Sequence, residues 1–134
     1  DISVAVATES GLITPIIKNA GNISVEEISS EMKRLSELAH SNKLMPSDYQ
    51  GGTFSISNLG MLGIKDFTAV INPPQCAILA VGGLQTKVSE IEGNAVFSKI
   101  ISVTMSCDHR AIDGAIGARF LQTLSDVVKN SEGL

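Results

Sequence analysis

Apolar residues alternate with small or polar ones at the start of the chain, at Ile2, Val4 and Val6. A second apolar run, Leu12-Ile13-Thr14-Pro15-Ile16-Ile17, follows Glu9-Ser10-Gly11. A period of two marks a half-buried strand, and the polar, glycine-containing break between the runs predicts a hairpin or tight connection. The period then changes. Val25, Ile28, Met32, Leu35 and Leu38 or Ala39 recur at helical spacing. Ser24 followed by Glu27 is the pair that can satisfy two free N–H groups at a helix start. A helix is therefore predicted from Ser24 to about Asn42-Lys43, ahead of Met45-Pro46.

Strand-like patterning returns at Thr53-Phe54-Ser55-Ile56-Ser57, followed by a loop punctuated by Gly60 and Gly63. A short strand is expected at Phe67 to Ile71, closed by Asn72-Pro73-Pro74. Cys76 to Val81 is a continuous apolar run, as in a strand covered on both faces. Lys87 to Phe97 reads as a hairpin turning at Glu92-Gly93-Asn94, and Ile100 to Met105 as the last strand. A final helix is predicted from about Asp113, its N-cap, with Ile116, Phe120, Leu124, Val127 and Val128 on its apolar side. The sum is an α/β (α+β two-layer) domain, a mixed β-sheet with helices packed on it.

Composition narrows the functional classes. A chain of 134 residues, 43% hydrophobic and 18% charged, can bury a core of its own as one folded domain. The net charge of −4 argues against nucleic acid or an anionic membrane surface as partner. No apolar stretch approaches a membrane span and no signal peptide is visible. Two cysteines, Cys76 and Cys107, make no disulfide framework and point to a reducing compartment. Asn22-Ile23-Ser24 fits a glycosylation acceptor, but it also reads as a helix start. No Cys/His/carboxylate cluster has metal-ligand spacing, so no metal is expected. The loop after Ser57 lacks the lysine and glycine pattern of a phosphate cradle.

Only two histidines are available for imidazole chemistry, His40 and His109. His40 lies near the end of the first helix, where a histidine favours the helix terminus. His109 lies between a strand end and a helix start, flanked by Asp108, Arg110 and Asp113. Such turns present side chains on rigid supports, and imidazole is the usual general base at neutral pH. The residues leave two readings open: a catalytic imidazole, or an ion-paired corner with Asp113 capping a helix. Cys107, two residues before His109, is expected to be a buried structural thiol rather than a nucleophile.

Asp108-His109-Arg110-Ala111-Ile112-Asp113-Gly114 resembles the signature of the acyltransferase components of 2-oxo acid dehydrogenase complexes, and chloramphenicol acetyltransferase is similar in the same region. The likeness extends over the chain. Asp1 to Thr8 with Gly11 to Pro15, Gln50 to Gly60, and Ile71 to Gln75 look like family blocks in family order. The stretch Asn58 to Phe67 is most similar to the pyruvate branch rather than the succinyl or branched-chain branches.

The resemblance implies a chloramphenicol-acetyltransferase-like fold and transfer of acetyl from S-acetyldihydrolipoamide to coenzyme A. It implies His109 as general base, Ser57 as the hydroxyl that stabilises the oxyanion, and Asp113 as the residue that holds the active-site segment. It further implies a homotrimer with each site between chains, assembled into a large core. Expected partners are the lipoyl domain of the parent chain, which carries the lipoyl group, and the decarboxylase and dihydrolipoamide dehydrogenase components. A bacterial cytoplasm or mitochondrial matrix is the implied location. Because the family's catalytic domain begins well before the strand at Ile2, the resemblance implies that residues 1–134 are its C-terminal part, without the lipoyl and subunit-binding domains. Such complexes also contain relatives that have lost the histidine and serve as docking subunits. Retention of His109, Asp113 and Ser57 favours the catalytic alternative.

Overall fold

The N-terminal alternation produces four short strands rather than two. In the computed structural model, which describes residues 1–130, these are β1 (Ile2–Val4), β2 (Val6–Thr8), β3 (Gly11–Ile13) and β4 (Ile16–Ile17). The arms bend where the main chain turns to other partners. The Ala5 N–H donates to the Ile56 carbonyl at 2.9 Å, and the Val4 N–H donates to the Pro15 carbonyl at 2.8 Å. β2 and β3 form the expected small hairpin across Glu9-Ser10.

Helix α1 (Val25–His40) starts as its sequence dictates. The Glu27 N–H donates to Ser24 Oγ at 3.2 Å, and the Ser24 N–H donates to the Glu27 carboxylate at 2.8 Å. Leu35 and Ala39 are its buried residues, and it packs on β2 and β4. A single helical turn, α2 (Pro46–Tyr49), leads to β5 (Phe54–Asn58).

The main sheet has the order β4-β1-β5-β6-β9, with β6 at Ala77–Val81 and β9 at Val103–Cys107. β1, β5 and β6 run parallel, while β4 and β9 are antiparallel to their neighbours. Ala77, Ile78, Leu79 and Ala80 are all buried, as the continuous apolar run requires. β7 (Gln85–Ile91) and β8 (Asn94–Ile100) form a separate two-stranded hairpin. Its turn places Glu92 at φ 51° and Gly93 at φ 80°, the doubly left-handed geometry that matches strand twist. Helix α3 (Gly114–Lys129) packs on β9 at Gly117, where a Cβ would lie 3.4 Å from Met105 Cε. Phe120 of α3 meets Phe54 of β5 with ring centroids 5.8 Å apart. This mixed sheet with packed helices is the fold class the sequence predicts.

Three expectations change. Residues 67–71 form no strand: the Ser106 hydroxyl donates to the Ala69 carbonyl at 2.7 Å, so a side chain replaces a ladder bond. The last strand is not Ile100 to Met105. Ile100 ends β8 by pairing with Gln85, whereas the next segment turns to β6: the Gly82 N–H donates to the Ser102 carbonyl at 2.9 Å, continuing the β6–β9 register, so the last strand is Val103–Cys107. The apolar side expected of α3 is only partly covered, because Ile116, Phe120, Val127 and Val128 remain exposed.

Alternation alone would turn Ser3 and Ser55 outward, yet they are 1% and 0% exposed. They face each other across the β1–β5 pair, and Gln75 joins them. Ser55 donates to the Gln75 side-chain carbonyl, while Gln75 Nε2 donates to Ser3 Oγ at 2.9 Å. Gly52 completes the fit, since a Cβ there would stand 2.0 Å from Ser3 Oγ and 2.8 Å from Gln75 Nε2. Buried hydroxyls left without a partner cost about 1–3 kcal/mol each. Gln75→Ala is therefore expected to destabilise the fold by about 2–4 kcal/mol, and Gly52→Ala by about 1–3 kcal/mol through overpacking. Urea unfolding checks both; unchanged midpoints would refute the network's structural role.

Candidate active site

Strand β9 and helix α3 meet in a turn that carries His109. Asp108 closes this turn by using nearly all of its polar groups. Its N–H donates to the Cys76 carbonyl at 2.8 Å, and its carbonyl accepts from Ala111 N–H at 3.0 Å and Ile112 N–H at 2.9 Å. Its carboxylate accepts from Arg110 Nη2 at 2.7 Å, from Nε at 3.0 Å, and from the Arg110 N–H at 3.0 Å. Hydrogen bonds from the Arg110 guanidinium, then from its backbone N–H, hold the Asp108 carboxyl at about 2, below its ordinary 3.8. Asp113 caps α3 as expected, accepting from the Ile116 N–H at 2.8 Å. Both structural roles foreseen for the corner are thus present, and neither involves His109. Among the described residues the imidazole makes no hydrogen bond.

His109 and Asp113 open onto a hollow of about 360 Å³ whose walls include Met105, Cys107, Gly114 and Gly117. Cys107 is half-buried there rather than fully buried, and it touches the Gly117 position of α3. Cys76 lies just before β6, and Ala77, not Cys76, pairs with Cys107. Neighbouring residues on a strand face opposite sides, so both thiols stay free.

Ser57 lies elsewhere, near the end of β5. The loop that follows is held tightly: the Leu59 N–H donates to the Val81 carbonyl at 3.2 Å, and Asn58 Oδ1 accepts from the Gly60 N–H at 2.9 Å. Gly60 must lack a side chain, because a Cβ would meet Gly82 O and Gly83 Cα at 2.8 Å. Gly63 takes φ 78°. Ser57 lines a largely apolar groove of about 680 Å³ together with Val4, Ala5, Met32, Met61 and His40. Sequence reading assigned His40 only to a helix end. Its place on this wall depends on how α1 crosses the sheet, which local patterning does not encode.

Register separates the two halves of the expected site. Ser57 lies opposite Ala80, and Ala80 opposite Thr104. His109 follows Thr104 beyond the far end of β9, on the order of 15 Å along the strand direction at about 3.3 Å per residue. A nucleophile, its base and an oxyanion donor must converge within about 3–3.5 Å. Within one chain, Ser57 and His109 do not. Among the described residues, no group of His, Cys, Asp and Glu is arranged to hold a metal ion.

Comparison with known proteins places this architecture. The family model of the 2-oxoacid dehydrogenases acyltransferase (catalytic domain) matches residues 1–134. The chain belongs to that family. It is 52% identical over 133 residues to the dihydrolipoyllysine-residue acetyltransferase component of the mitochondrial pyruvate dehydrogenase complex of Dictyostelium discoideum, covering 97% of this chain and 21% of that protein. It is 53% identical over 135 residues to the mitochondrial pyruvate dehydrogenase protein X component of Mus musculus, covering 97% of this chain and 27% of that protein. A structure from work on the roles of a serine, a histidine and an asparagine in the mechanism of Azotobacter vinelandii dihydrolipoamide acetyltransferase superposes with a TM-score of 0.89 at 36% identity. That match covers 96% of this chain and 53% of that one. The chain therefore spans about a quarter of the length of these full-length relatives.

The corner yields a pH prediction. A depressed carboxyl pKa means that the Asp108–Arg110 pair contributes fully above about pH 3.8 and loses its contribution as pH falls through about 2. Carboxyl-carbon NMR should show Asp108 titrating near 2, and Arg110→Ala should return it to the ordinary range. A midpoint near 3.8 in the unaltered chain would contradict the pairing.

Proposed function

We propose that this chain is the C-terminal part of the catalytic domain of a dihydrolipoyllysine-residue acetyltransferase of the pyruvate dehydrogenase complex. It moves acetyl from S-acetyldihydrolipoamide to coenzyme A. The observation that carries the reading is one of spacing combined with geometry. In the Azotobacter enzyme, the interval from the investigated serine to the histidine equals that from Ser57 to His109. The asparagine there follows its histidine at the same four-residue step as Asp113 follows His109. The departure, a carboxylate for an amide, leaves the N-cap function intact, since either side chain caps a helix.

His109 takes the proton from the attacking thiol of coenzyme A, and the resulting sulfur attacks the acetyl carbonyl carbon. Negative charge gathers on the carbonyl oxygen, where the Ser57 hydroxyl donates a hydrogen bond. The tetrahedral intermediate collapses by breaking the bond to the dihydrolipoamide sulfur, which receives the proton back from His109. The apolar groove beside Ser57 suits an extended, uncharged thiol-bearing arm.

Because Ser57 and His109 stand apart in one chain, a neighbouring copy supplies the serine, in keeping with a homotrimer built into a large core. The parent chain's lipoyl domain then delivers the acetyl group made by the decarboxylase, and dihydrolipoamide dehydrogenase reoxidises the product. The setting is a bacterial cytoplasm or a mitochondrial matrix. High identity to a protein X component makes a non-catalytic core role the alternative, and retention of His109 favours the catalytic one.

In the full-length parent, His109→Ala should lower acetyl transfer by on the order of 10²–10⁴-fold, and Ser57→Ala by on the order of 10²–10³-fold, without dissolving the assembly. Unchanged turnover in His109→Ala would remove the proposal. Coexpressing the two variants should restore part of the activity, since mixed assemblies regain sites with both residues intact. Absence of restoration would place both groups in one chain. Parallel assays with acetyl, succinyl and isobutyryl coenzyme A should show preference for acetyl.

A further inference from the structure

His109 is flanked on both sides by the two members of one ion pair, which bond to each other across a single intervening residue rather than reaching across the protein. Asp108 Oδ1 accepts from both the Arg110 N–H and Nε, each at 3.0 Å, and Oδ2 accepts from Nη2 at 2.7 Å. A two-pronged guanidinium–carboxylate contact fixes orientation as well as distance. The same aspartate is tied to the sheet through Cys76 and to the turn through Ala111 and Ile112. The residues at both shoulders of His109 are therefore tied to each other and, through the Asp108 N–H, to Cys76 just before β6, and the imidazole has no hydrogen bond of its own among the described residues. An exposed pair of this kind adds little to global stability. Arg110 is 91% exposed and Asp108 25%. A tight, redundant clasp in so exposed a place has more to do with local geometry than with holding the fold.

We propose that Asp108 and Arg110 are positioning residues that set the direction of the His109 imidazole. This rests on the proposal that His109 is the general base. The clasp removes backbone freedom on either side of one residue, so the imidazole reaches the attacking thiol without first ordering its loop. Misplacing a catalytic group by about 1 Å can cost about 10²-fold in rate, so the clasp acts on turnover and leaves substrate affinity alone. Charge alone is insufficient. A lysine at position 110 supplies the charge but lacks both the planar fork and the Nε–H.

The test uses the full-length parent in its assembled state, with Asp108→Asn, Arg110→Ala, Arg110→Lys and the Asp108→Asn/Arg110→Ala double variant. Each single variant should lower kcat for acetyl transfer by on the order of 10- to 100-fold, with KM for coenzyme A changed less than about 2-fold and the melting temperature unmoved. The double variant should be no worse than the worse single one, because either change opens the same clasp. Full activity in Arg110→Lys overturns the geometric role, and unaltered kcat in Arg110→Ala overturns the clasp altogether. So do additive losses in the double variant, which assign the two residues separate tasks. The His109→Ala control separates the two proposals: activity surviving there defeats the general-base reading, whereas loss there with intact clasp variants defeats only the positioning role.

Discussion

A half-buried amide shared between two buried hydroxyls governs the placement of everything that follows it in the sheet. Gln75 bonds to Ser3 on β1 and Ser55 on β5, and it stands just before β6. One side chain thus sets the register of three neighbouring parallel strands. Apolar strands alone could slide, since a burial-driven contact has no direction. Hydroxyls without a partner cannot, because each shift would strand a buried polar group. From this registry the two candidate groups take their places: β5 carries Ser57 two residues beyond Ser55, and β6 sets β9, which leads to His109.

Local signals made several elements legible in the sequence. The Ser24–Glu27 pair placed the start of α1, Glu92-Gly93-Asn94 placed the hairpin turn, and Asp113 placed the start of α3. Each works through contacts within a few residues. The segment at 67–71 misled because its apolar character is that of a strand while its partner is the hydroxyl of Ser106. The burial of Ser3 and Ser55 was hidden for a similar reason: serine on alternate positions reads as a wet face until a distant glutamine is brought to it. At the site, the identity of the candidate groups could be read from residue types and family likeness. The separation of Ser57 from His109 within the chain could be seen only with strand order and direction in hand.

The exposed apolar surfaces agree with that separation. Helix α3 leaves Ile116 and Phe120 open, and the β7–β8 hairpin leaves Val88 and Phe97 open as a cross-strand pair standing clear of the main sheet. Large exposed side chains on a strand pair and on a helix mark surfaces suited to further contact. The chain matches about half of the Azotobacter chain and about a quarter of the length of the Dictyostelium and mouse relatives.

The antiparallel run of β9 against β6 has a further consequence under the proposed reading. It sends the base to one end of the sheet and leaves the oxyanion donor at the other, so each copy offers two unlike half-sites facing different neighbours. Such head-to-tail complementarity closes into a ring and leaves no half-site idle only when the ring is complete. A newly made, solitary chain would be chemically silent and could not squander acetyl thioesters before it had been built into place.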